Sequence, residues 1–195
     1  MTNSNPGSAA ASSLDDLIAK IKDKDDAVRG PAWQNAGPFG APAVKPLANV
    51  MADPEMEVAR AAKRALWKVV RHAGRPGADQ EKRAVTTELL TLLQGSPTHV
   101  RREVLWMLSE IGSDDAVPHI AALISDRDVR EDARAALERI PGNKSLGALK
   151  DSLKTASEDF QPAIAQSLRV RGVKVTGYPN QKLVPTRSSN ADLKS

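Results

Sequence analysis

The residues best suited to chemistry in this chain are cations gathered on one stretch. Arg60, Lys63, Arg64, Lys68 and Arg71 recur at spacings of three to four. On a helix turning about 100° per residue, Arg60, Arg64, Lys68 and Arg71 share one face. That face lies nearly opposite the apolar series Val58, Ala62, Leu66 and Val69, and Arg75, Lys82 and Arg83 extend the positive run. A stripe of this kind suits phosphates, an acidic protein or a membrane surface. A solvated outer face has the same appearance and is the simpler reading.

The other chemistry-bearing types do not converge. His72, His99 and His119 share no ligand spacing, and a metal site needs converging ligands, so no metal site or cofactor is expected. Asp25 with Asp26, and Asp114 with Asp115, resemble acid pairs, but each lies ahead of a helical pattern, where capping explains it. There is no glycine-rich phosphate loop, no Gly-x-Ser-x-Gly elbow and no His-Glu-x-x-His pair. No catalytic residue is assigned, and a non-enzymatic protein is favoured.

Composition narrows the class of fold that can position these residues. Of 195 residues 41% are hydrophobic and only 3% aromatic, which favours close helix-on-helix packing over an aromatic-rich β-sandwich. The absence of cysteine removes disulfides, thiolate metal sites and a cysteine nucleophile. No apolar run approaches the ~20 residues needed to span a bilayer. The stretch from Met1 to Ser13 is small and polar, without the regions of an export signal, which favours a cytoplasmic location. The net charge of +4 is compatible with an acidic partner.

Internal periodicity then organises the chain. Five segments begin at Val28, Val58, Val100, Val129 and Phe160 and carry same-face residues at offsets four, eight and eleven. The followers are Ala32, Ala36 and Phe39; Ala62, Leu66 and Val69; Val104, Leu108 and Ile111; Ala133, Leu137 and Ile140; Ile164, Leu168 and, as a poorer match, Arg171. Gly40, Gly112, Pro141 and Gly172 punctuate offset twelve. Successive starts lie about 30, 42, 29 and 31 residues apart, the range of helical solenoids. Asp25, Asp53, Ser96, Asp126 and Ser157 are the expected N-caps, with Pro54 and Pro97 at first helical positions. A shorter amphipathic helix precedes each segment, over 14–22, 42–51, 85–93, 117–124 and 146–153. The expectation is ten helices in five antiparallel pairs, with about twelve extra residues around 72–83 forming a longer helix end and a Gly-Pro-Gly loop. Trp33, Trp67 and Trp106 stand at offsets five, nine and six. An indole beside cations can stack on an unpaired base, but unequal offsets favour packing between repeats.

The runs VRREVLWMLSEIGSDDAVPHIAALISD and DVREDARAALERIPGNKSLGALKDSL resemble HEAT repeats, in particular those of the phycobilisome-lyase class. The resemblance covers about residues 14 to 172 and implies an all-α, right-handed α-α superhelix. It also implies a ladder between repeats, built from a loop aspartate and the arginine after the first core valine. Asp26 with Arg29 and Asp128 with Arg130 fit that pattern, and Arg101 fits its arginine half. Ala59 and Gln161 occupy the arginine place in repeats two and five, where the ladder is expected to be broken. HEAT-like proteins include DNA glycosylases, but no segment here matches their motif.

The domain reading is a disordered segment over 1–13, a repeat domain over 14–172 and an extended tail over 173–195. In that tail Val173, Val175, Tyr178 and Leu183 are placed to cap the last helix, and the stretch after Arg187 reads as disordered. The favoured function is a scaffold for another protein. Candidate binding residues are Arg60, Arg64, Lys68 and Arg71, together with Lys45, His119 and Lys150 of the shorter helices. Nucleic-acid binding is the alternative, and chromophore-lyase relatedness, which rests on the resemblance alone, is the weaker one. If the stripe neutralised about four phosphates, log affinity for duplex DNA would fall against log salt with a slope near about −3.6. Because the excess charge sits on one repeat, the expected titration result is no sequence-specific nucleic-acid binding at physiological salt.

Overall fold

The computed structural model describes residues 13–178. Among them are ten α-helices and no strand. In chain order they are α1 (Leu14–Ile21), α2 (Asp26–Gln34), α3 (Val44–Val50), α4 (Met56–Ala73) and α5 (Asp79–Thr91), then α6 (Thr98–Ile111), α7 (Val117–Ala121), α8 (Arg130–Arg139), α9 (Asn143–Thr155) and α10 (Gln161–Val170). Short 3-10 turns at Gly37–Phe39 and Ala41–Ala43 lead into α3, and another at Ala122–Ser125 prolongs α7. Most helices pack against the next in sequence, α2 with α3 and α6 with α7 excepted, while α2, α4, α6, α8 and α10 also pack side by side as one layer. In the second layer α3 meets α5 and α7 meets α9. The result is an α-α solenoid.

The repeat template is the core. Val58, Ala62, Leu66 and Val69, and their counterparts from Val100 to Ile111 and from Val129 to Ile140, are buried. Truncating a core leucine such as Leu66 or Leu108 to alanine costs about 2–5 kcal/mol. Ala61, Ala62 and Ala65 let neighbouring helices approach α4 closely. At the first repeat Val28 and Phe39 are only half-buried. They border a groove of about 300 Å³ with Leu17, Pro31 and Ala32, on the end of the stack that no described repeat covers.

Helix starts differ from the sequence reading in an instructive way. Of the five expected caps, Asp25 is the N-cap of its helix, accepting from Ala27 N–H at 2.9 Å. Asp53 and Asp126 instead accept from Glu55 N–H and Asp128 N–H, each at 3.0 Å, forming turns just before α4 and α8. Glu55 caps α4, and Pro97, Val129 and Phe160 stand at the other three N-caps. A short polar side chain satisfies a backbone amide two residues on as readily in a turn as at a cap, so composition placed the turn but not the first helical residue. The extra residues near 72–83 lengthen both flanking helices: α4 runs to Ala73, and α5 starts at Asp79 rather than Val85.

Punctuation at offset twelve has two physical causes. Gly172 has φ +78°, and the bonds from Gly172 N–H to Arg169 O and from Val173 N–H to Leu168 O complete a Schellman ending of α10. At Gly112 the backbone is ordinary, but a Cβ would lie 2.3 Å from the carbonyl oxygen of Leu108. Arg171, the poor match at offset eleven, does different work from the apolar residues in its column. Its guanidinium donates to the carbonyls of Leu137, Glu138, Ile140 and Gly142 at 2.9–3.2 Å, capping the C-terminal end of α8.

The ladder between repeats runs forward, and its acids are not all those the resemblance implied. Arg101 bonds Asp126 of the following loop at 2.5 Å, and Arg130 bonds Asp159 at 2.7 Å rather than Asp128. Asp26 does pair with Arg29, but within one helix, and Arg29 also donates to the Asp23 carbonyl. The junction to the last repeat is therefore bridged. An arginine reaching forward needs only an acid in the next loop, so Gln161 breaks nothing, and it donates to the Ala156 carbonyl.

Beyond α10 the described residues 173–178 form neither helix nor strand, and Val173 and Val175 pack against the core. Arg169 donates to the carbonyls of Val175 and Tyr178. Leu183, the expected disorder of residues 1–12 and that after Arg187 lie outside the described residues, while Ser13 caps α1 by accepting from Asp16 N–H. Deleting residues 173–195 should lower the melting temperature by several degrees, and an unchanged value would remove any capping role. A second expectation concerns Asp159, whose carboxyl is held at about 2, below its ordinary 3.8, by hydrogen bonds from Ser157 and Arg130. A depressed folded-state value stabilises above the ordinary value and is lost as pH falls through the folded one. Denaturation midpoints of Asp159→Asn should therefore lie below wild type at pH 6 and converge with it near pH 2.

Candidate interaction surface

All four residues of the stripe lie on the exposed side of α4, as does Lys63. Their charges are engaged differently. Arg60 pairs with Glu57 at 2.6 Å, Lys63 with Glu103 at 3.3 Å and Arg71 with Glu110 at 4.0 Å. Among the described residues, Arg64 and Lys68 form no ion pair. They lie over the ring of Trp33 in α2, at 5.4 and 5.8 Å from its centroid. The stripe does not continue as one helix face into the insertion. Arg75 is clamped to Glu81 at 2.6 Å, which holds that carboxyl below its usual range, while Lys82 and Arg83 belong to α5.

The tryptophans tie neighbouring helices of this layer together. Trp67 N–H donates to Glu103 of α6, and Trp106 N–H donates to Asp132 of α8 at 3.0 Å. Arg71 lies 5.0 Å from the Trp67 ring centre, and Arg139 of α8 lies 5.8 Å from that of Trp106. Each indole thus carries a cation on its face, and two of the three fasten an acid of the next helix by their edge.

Sequence reasoning found the cations but missed Trp33 beneath two of them, and missed the acids Glu103 and Asp132. A signal was present in the polar columns. Glu103 and Asp132 both stand at offset three of their segments, and Lys68 and Arg139 both at offset ten.

The candidates of the other layer are not brought together. Lys45 on α3 pairs with Glu88 of α5 at 3.2 Å. His119 on α7 and Lys150 on α9 are exposed. The three histidines sit apart on α4, α6 and α7, with His72 at 3.8 Å from Glu81 and His99 Nε2 at 3.2 Å from the Met51 carbonyl. No helix among the described residues is long and apolar enough to cross a membrane.

Fold and surface together define an all-helical repeat protein of the α-α solenoid class. Residues 83–169 match the sequence profile of HEAT repeats, so this part of the chain is HEAT-like. Among solved structures, the chain is similar to computationally designed armadillo repeat proteins for modular peptide recognition. That likeness has 19% identity over 80% of this chain and 81% of the other, with a TM-score of 0.44. A designed armadillo repeat protein in complex with the peptide (KR)4 shows 19% identity over the same shares and a TM-score of 0.45. An engineered protein shows 18% identity over 80% of this chain and 78% of that one, with a TM-score of 0.41. No curated protein matches.

Proposed function

We propose that this protein is a non-enzymatic scaffold that binds another protein through the layer formed by α2, α4, α6, α8 and α10. The observation that carries the reading is the state of Arg64 and Lys68. Their neighbours on α4 are neutralised within the chain, whereas these two are exposed and held on Trp33 without an acid. A solenoid of packed repeats keeps such a surface in fixed register along several helices. In the domain arrangement we propose, residues 14–172 form the repeat body and 173–195 its cap.

Nucleic-acid binding is less well supported, because Glu103 and Asp132 are fixed on the same layer. A phosphate backbone tracking from repeat to repeat meets these charges. The phycobilisome-lyase subtype remains a likeness of packing motifs. Arg101 and Arg130, which carry it, are spent on loop acids.

The test is isolation of a stable partner, followed by reconstitution of the complex from purified components. Hydrogen exchange on the complex should show protection in α2 and α4, and the complex should be weakened by reversing charge at Arg64 and Lys68. Reversal at Lys45 and Lys150, in the other layer, should leave it intact. A partner protecting only α3, α5, α7 and α9 would reassign the binding layer, and sequence-selective submicromolar DNA or RNA binding lost with Arg64 and Lys68 would overturn the scaffold.

A further inference from the structure

We infer that Trp33, Arg64 and Lys68 form a docking point for an acidic segment of the partner protein, two carboxylates of which pair with the two cations. This deepens the scaffold reading and rests on it. Arg64 and Lys68 are one helical turn apart on α4 and share a single indole contributed by α2. The ring restrains two long side chains that would otherwise lose rotamer freedom on binding. It offers them no carboxylate, and among the described residues neither side chain donates a hydrogen bond. Their donors are thus held in place with the strongest available partner missing.

The chain itself has little with which to fill the site. The segments outside the described residues contain one acid, Asp192, against Lys182, Arg187 and Lys194. Within the repeats the nearby acids Glu57, Glu103 and Glu110 are engaged by Arg60, by Lys63 with Trp67, and by Arg71. These three acids are already paired, so the complementary charge is best supplied by another molecule.

Spacing and surroundings favour an acidic peptide over a nucleic acid. Residues one helical turn apart have Cβ atoms about 5–6 Å apart, and same-side residues of an extended chain repeat about every 6.6 Å. Alternate acidic residues in an extended segment fit the pair. A phosphate chain continuing past it toward α6 and α8 runs into Glu103 and Asp132. Nor is Trp33 an open platform for a base, because two cations already lie over it.

The probe is a fluorescein-labelled peptide of alternating Glu and Ser, about twelve residues long, titrated with the full chain at physiological salt and read by anisotropy. Saturable binding is expected. Arg64→Glu with Lys68→Glu should weaken it by about tenfold or more, since like charges then face each other. Arg60→Glu with Lys63→Glu, which removes the same charge from cations already paired, should weaken it by less than about threefold. Circular dichroism and melting temperature check that both variants fold, and Arg64→Gln with Lys68→Gln provides a milder pair. Equal losses from the two reversals would overturn the proposal, since general charge would then suffice. So would tighter binding of labelled oligothymidylate that disappears with Arg64 and Lys68, or self-association of the chain that disappears with them. Absence of saturable peptide binding overturns the docking point, while a partner isolated as above and bound elsewhere leaves the scaffold standing.

Discussion

Every helix in this chain depends on burial of its apolar stripe by helices on either side. With 3% aromatic residues, the core is assembled from aliphatic side chains and alanines that hide completely only when neighbouring helices are in place. Leu66, Leu108 and Leu137 hold the same place in successive repeats and are all fully buried. Val28, which opens the first repeat, is only half-buried, whereas Val58, Val100 and Val129, its counterparts in the next three, are buried. The difference is the neighbour, not the residue. The stack is therefore stable as an array, with its weak points at the ends.

Polar contacts add direction to that stacking. Arg101 and Arg130 each reach the loop of the following repeat, and Asp126 and Asp159 are held ionised by those arginines and by local hydrogen bonds. Trp67 and Trp106 make the same forward step on the layer surface, donating to Glu103 and Asp132. Most of these groups are half-buried rather than fully desolvated, and each pair contributes modestly to stability on its own. What they do is hold each helix at the rotation that face packing sets, because an indole N–H or a guanidinium meets its acid over a narrow range of angles. The last repeat ends the series without a donor of this kind. Arg171 turns back instead onto the carbonyls that close α8.

That fixed rotation also decides which surface charges remain free. On α4 five exposed cations stand within about three turns, yet the helix is not uniformly basic to a visitor. Lys63 and Arg71 are spent on α6, and Arg60 on its own first turn. Arg64 and Lys68 face α2, where the nearest side chain is an indole and not an acid. The reactive part of a long basic stripe is reduced to two cations on one ring.

The five apolar series, their spacing and most of the buried residues were legible from the sequence, because burial on a helix recurs with the period of the helix. The same periodicity separated the two layers and marked the longer second repeat. Helix starts were less legible: Asp53 and Asp126 accept a backbone amide in a turn as well as they would at a cap. Tertiary structure alone decided the partners. Arg101 and Arg130 meet acids 25 and 29 residues away, and Trp33 lies under cations from a different repeat. Such meetings depend on how far one helix is turned against the next, which is set by the packing of whole faces and by no local spacing.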